Sequence, residues 1–118
     1  MSWLKLILKL LRAGCPFILP LDSRYEPITQ AELDNLITEY QVKELYYHPD
    51  IFDCDDFAWV FKGLAAERRR QAVGFVIGWW KGGLHCWNVA ITETGLKWIE
   101  PQTGKINQRG YWPWLVII

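Results

Sequence analysis

The apolar residues of this chain change their spacing once, near residue 71. Ahead of that point they recur three and four apart, as on one face of a helix. Beyond it they fall in short runs of Val, Ile, Phe and Trp separated by glycine turns. Helices first and strands second predicts an α+β domain, with N-terminal helices packed on a C-terminal antiparallel β-meander. A length of 118 residues suits one domain over 1–118.

Three helical patterns precede the change. Residues 1–13 form an amphipathic segment in which Lys5, Lys9 and Arg12 share one face. Its apolar run is too short to span a bilayer, and its cations interrupt what would be the core of a signal peptide. The segment is expected to dock on its own domain, with contact of residues 2–12 with a membrane surface as the lesser reading. The second pattern opens on Thr29 with Glu32 three residues on, a capping-box spacing, and runs from about Gln30 to Gln41. The third starts at Cys54 behind Asp53 and carries a stripe of Phe57, Val60, Phe61, Leu64 and Ala65 to about Arg70. Strands are expected over Ala72–Trp80, Leu84–Thr92, Leu96–Glu100 and within Tyr111–Ile118, where Pro113 restricts the last to an edge or a bulge. Leu19–Ser23 reads as loop.

The formal net charge is zero, so no nucleic-acid partner is expected. The one basic run, Arg68-Arg69-Arg70, suits the C-terminal end of a helix. Eight Trp read first as core filling and second as the walls of a substrate cleft. Three cysteines without CxxC spacing form neither a disulfide framework nor a zinc ribbon, and Cys15 before Pro16 reads as inert. A reducing, cytoplasmic setting is the expectation.

Cys54 is the residue with chemistry. A helix N-terminus lowers a thiol's pKa through its free N–H groups and dipole. Asp53, Asp55 and Asp56 oppose this, because three carboxylates disfavour a further anion. Either a protonated His85 or a bound cation must offset them. His85 opens one expected strand and Glu100 closes the next. A turn at 93–95 brings those two ends together, so His85 and Glu100 are expected neighbours, facing the Cys54 helix. Cys54 as nucleophile, His85 as base and Glu100 as its orienter would form a triad. The Cys54 backbone N–H and an upstream donor, His48 the first candidate, would serve an oxyanion. Cys86 is expected on the face away from His85.

Asp53-Cys54-Asp55-Asp56-Phe57-Ala58, His85 and Glu100-Pro101 together resemble the papain-like and transglutaminase-like cysteine peptidases. Within them they are most similar to the peptidase domain of the Marasmius agglutinin and related bacterial and phage proteins. The resemblance covers residues 45 to 104. It implies a papain-like fold, a Cys54/His85/Glu100 triad, hydrolysis of a peptide or amide bond and a peptide or protein substrate. It also implies calcium near the active site, with Asp53, Asp55 and Asp56 as ligands. The alternative is an inactive module of the same fold, a phage or mobile-element accessory protein that binds a partner through its Trp-rich surface. A third reading keeps the acids and His85 as a metal site without a nucleophile.

Overall fold

Each helix starts where a polar side chain can satisfy its free N–H groups. A computed structural model describes residues 1–118 and places α1 over Trp3–Arg12, α2 over Gln30–Val42 and α3 over Cys54–Glu67. Ser2 caps α1, its Oγ accepting from the Lys5 N–H at 3.4 Å. Thr29 and Glu32 close a full capping box on α2: Thr29 Oγ1 accepts from Glu32 N at 3.1 Å and Glu32 Oε1 from Thr29 N at 3.0 Å. At α3 the Asp53 N–H donates to Asp56 Oδ2 at 3.2 Å.

The strands are β1 (Phe17–Leu19), β2 (Val73–Trp80), β3 (Gly83–Thr92), β4 (Gly95–Glu100), β5 (Lys105–Ile106) and β6 (Trp112–Ile117). They form one six-stranded sheet in the order β1-β6-β2-β3-β4-β5. Only β2, β3, β4 and β5 are a meander. β6 returns across the sheet to pair antiparallel with β2, and β1 lies parallel to β6 with Phe17 opposite Leu115. The expected loop around Leu19 is therefore partly strand. Three residues between Pro16 and Pro20 carry too little pattern to show it, and the partner that makes them a strand is at the far end of the chain.

Helices cover both faces of the sheet, which corrects the expectation of one helical layer. Leu6 and Leu10 of α1 pack with Val76, Trp87, Val89, Ile91 and Val116 on one face. Leu33, Leu36 and Tyr40 of α2 and Phe57, Phe61 and Leu64 of α3 pack with Val73, Ala90 and Ile99 on the other. We call these the α1 face and the α3 face. Strand alternation sorts the residues: odd positions of β3 look to α1, even positions to α3.

Pro113 sits in an interior strand, at a bulge. Ile77 pairs with Leu115 but Gly78 pairs with Pro113, leaving Trp114 as the extra residue. Gly78 is required there: a Cβ on it would lie 2.1 Å from Trp112 O and 2.8 Å from the Trp87 ring.

Candidate functional site

The start of α3 and the β3–β4 hairpin carry the residues with chemistry. Cys54 opens α3, half-buried. It packs on the α3 face against a small cluster of Ala58, Phe75 and buried Cys86. Burial pushes the Cys86 thiol well up, and the neighbouring Cys54 adds to the rise.

His85 and Glu100 meet, as the hairpin register requires. Asn88 pairs with Ile99 and Thr92 with Gly95, which sets Glu100 opposite Trp87 and diagonal to His85. His85 Nε2 lies 2.5 Å from Glu100 Oε1. Glu100 is 2% exposed and also accepts from Tyr111 Oη at 3.3 Å and from Gln102 N at 3.4 Å. Burial, and then the Glu100 charge, hold the Tyr111 phenol well above its ordinary range. The His85 ring lies in a stack of aromatics, 5.1 Å from Trp80 and 6.5 Å from Tyr111 between ring centroids.

This pair is on the other side of the sheet from Cys54. His85 pairs with Gly78, and its contacts are Trp80, Trp87 and Tyr111, all on the α1 face. Cys86, one residue on, is the side chain that reaches α3. The expectation that His85 faces the Cys54 helix, with Cys86 turned away, is reversed. Cys54 and His85 make no hydrogen bond, so the three-residue relay is not assembled. Alternation within β3 was legible in the sequence; which parity faces which helix layer was not, because the second layer came from α1.

His48 does not complete an oxyanion site. It is exposed in a tight turn whose backbone is self-satisfied: His48 N donates to Phe52 O at 2.7 Å and Phe52 N to His48 O at 2.8 Å. Asn88 has a structural task on the α3 face. Buried, it donates through Nδ2 to Ala58 O at 2.9 Å and Gly74 O at 3.0 Å, tying α3 to the sheet.

Carboxylate oxygens of Asp53, Asp55 and Asp56 come within 4.8 Å of one another. A hydrogen bond between Asp55 and Asp53 is the largest influence on both: it lowers Asp53 and raises Asp55. Oxygen donors suit calcium, which takes about six to eight of them. Asp56 Oδ2 already accepts from the Asp53 N–H, so bidentate carboxylates, backbone carbonyls or water would have to supply the remaining donors.

A Trp-rich surface, which the sequence raised as a cleft wall or partner-binding face, lies beside Cys54. α3 packs chiefly on β2 and β3, with Ile117 of β6 against the same cluster. Trp59 of α3 stacks on Phe75 at 4.1 Å. Trp79 of β2 and its cross-strand partner Trp112 of β6 lie exposed further along this face, and at the β6–β1 edge the rings of Trp114 and Phe17 meet edge-on at 5.7 Å. Trp112 is 74% exposed and Trp79 47%, too much for core residues. The sequence signal was the Trp pairs themselves. Reading them as core was wrong for Trp79, Trp112 and Trp114, all of which are exposed.

A family model described as Agglutinin C-terminal matches residues 25–106. Among solved structures, the chain is similar to one described as a PSL1a–E64 complex: TM-score 0.87, 22% identity, 100% of this chain and 51% of that one. It is also similar to Polyporus squamosus lectin bound to the human-type influenza-binding epitope Neu5Aca2-6Galb1-4GlcNAc: TM-score 0.78, 21% identity, 94% of this chain and 47% of that one. At these identities the likeness is one of fold, and the chain spans about half the length of the solved chains. The family is described as an agglutinin's and the second structure as a lectin. The recognition of a papain-like cysteine peptidase, and the hydrolase function drawn from it, are therefore corrected. The separation of Cys54 from His85 across the sheet is the structural counterpart of that correction.

Proposed function

The chain belongs to the agglutinin C-terminal family, and on that premise we propose that it is a non-catalytic binding module whose exposed aromatic face takes a saccharide. The observation that carries this reading is the exposure of Trp59 on α3 and of the cross-strand pair Trp79 and Trp112 on the α3 face of the sheet. Indole rings offer flat, rigid apolar area with little side-chain entropy to lose. The C–H faces of a pyranose ring stack on such a surface, while its hydroxyls stay in water. The zero net charge supplies no field for a strongly charged polymer. The related lectin's own ligand is an oligosaccharide, which makes sialylated and plain galactosides the first compounds to try.

The test is calorimetric titration with the trisaccharide Neu5Acα2-6Galβ1-4GlcNAc and with its desialylated disaccharide. Saturable binding of either, weakened at least tenfold by Trp112→Ala or Trp79→Ala, is the expected result; tenfold corresponds to about 1.4 kcal/mol. Both residues are exposed, so both variants should keep the wild-type melting temperature within a few degrees. Binding untouched by either variant, or no binding to any member of a broad glycan array, would sink the reading.

A further inference from the structure

The strongest feature outside the aromatic face is the outer side of α1, on the opposite side of the sheet. Leu6 and Leu10 are fully buried beneath it. Three other leucines point away from the core: Leu4 is 56% exposed, Leu8 45% and Leu11 48%. They follow i, i+4, i+7 and so form one continuous stripe. Lys5, Lys9 and Arg12 follow the same spacing one residue on. At 3.6 residues per turn the two stripes are centred about 100° apart on the helix. The exposed half of α1 is thus divided lengthwise, one side leucine and the other cation.

Two further observations extend the pattern. Trp3, 46% exposed at the start of the helix, shares a shallow depression with Leu21, which is 59% exposed. And α1 contains no acidic residue, while none of Lys5, Lys9 and Arg12 enters any of the three ion pairs of the structure. In a chain of zero net charge, this is a local concentration of uncommitted positive charge beside uncovered apolar surface. A helix lying in a bilayer interface needs this arrangement: leucines and an indole dipping among acyl chains, and long cationic side chains reaching headgroup phosphates. No helix of the protein is long and apolar enough to cross a membrane, so any such contact lies along the surface.

We infer that α1 is a docking surface for an anionic lipid bilayer, with Trp3, Leu4, Leu8 and Leu11 entering the interface and Lys5, Lys9 and Arg12 holding the headgroups. The occupant follows from charge complementarity. A second copy of this chain would bring three like cations against these three, whereas an anionic leaflet contributes favourably for each cation near it. The inference is independent of the saccharide reading, because the two surfaces are on opposite faces of the sheet.

The experiment is cosedimentation of the 118-residue chain with vesicles of phosphatidylcholine alone and of phosphatidylcholine with about one third phosphatidylserine. The expected result is binding to the anionic vesicles at least tenfold stronger than to the neutral ones, falling as salt is raised. Lys5→Glu with Lys9→Glu should remove the anionic preference, and Leu4→Ser with Leu8→Ser should remove vesicle binding. All four residues are exposed, and a circular dichroism melt near wild type shows that each variant is folded. Equal or absent binding to both vesicle types overturns the inference. So does anionic binding that the leucine variant leaves intact, or a stable dimer in solution that the leucine variant dissociates.

Discussion

His85 Nε2 lies 2.5 Å from Glu100 Oε1, and both side chains project from the face of the sheet that carries α1. Cys54 sits on the other face, so the pair acts within the core. The side chains are 13% and 3% exposed. Truncating one member leaves the other without its partner in a poorly hydrated site. His85→Ala is expected to lower stability by about 3–5 kcal/mol in urea denaturation. The double variant His85→Leu with Glu100→Leu should be less damaged than the sum of its singles, because it leaves no orphaned charge. Additive losses would show that the two residues act separately.

Gly78 is the hinge on which the exposed pair Trp79 and Trp112 depends. A methyl group there meets the Trp112 carbonyl, which is backbone and cannot rotate away. Gly78→Ala should destabilise by about 3 kcal/mol or more and displace β6 from β2. Amide exchange in Trp112–Ile117 should rise by a larger factor than in β3. Wild-type protection across β6 would refute the bulge geometry.

Alkaline solution should unfold this protein early. Burial raises the Cys15 thiol from 9.0 to about 12 and raises Cys86, and burial raises the Tyr40 and Tyr111 phenols as well. These groups stay protonated in the folded chain after their unfolded counterparts have ionised. The unfolded state then binds fewer protons, so stability falls as pH rises. For Cys15 the loss begins near 9.0 and is complete near 12. Denaturant midpoints measured from pH 7 upward should be flat at first and then decline, and Cys15→Ala should decline less steeply. A midpoint that rises over that range would contradict the sign.

Tyr25 joins the two ends of the chain. Its Oη donates to Ile118 O at 2.7 Å and accepts from Asp22 N at 3.0 Å. Tyr25→Phe removes both bonds: the Asp22 N–H loses its acceptor, while Ile118 O keeps only the Leu21 N–H. A loss of about 1–3 kcal/mol is expected in equilibrium unfolding. No measurable change would mean that water replaces the hydroxyl at the C-terminus.

Helix positions were legible because capping and periodicity are local. Thr29 with Glu32, Asp53 with Asp56, and the stripe from Phe57 to Ala65 placed α2 and α3 to within a residue at their starts. At its far end α3 stops at Glu67, three residues short of the expected Arg70, as Arg69 takes a positive φ of 58°. The β3–β4 hairpin was legible too, because a short turn sets register, and register alone brings Glu100 to His85.

What the chain could not show by itself is which side of each strand meets which helix. Alternation says that His85 and Cys86 point opposite ways; it does not say which one meets Cys54. That was decided by two long-range events: α1 claiming one face through Leu6 and Leu10, and α3 claiming the other through Ala58 and Phe61. β1 is the same case, three residues that become a strand only when Leu115–Ile117 arrive beside them. Capping, periodicity and turns are decided within a few residues, so the sequence alone determines them. Face, layer and exposure depend on free energy released only when distant segments bury apolar surface together, and only the tertiary structure decides those.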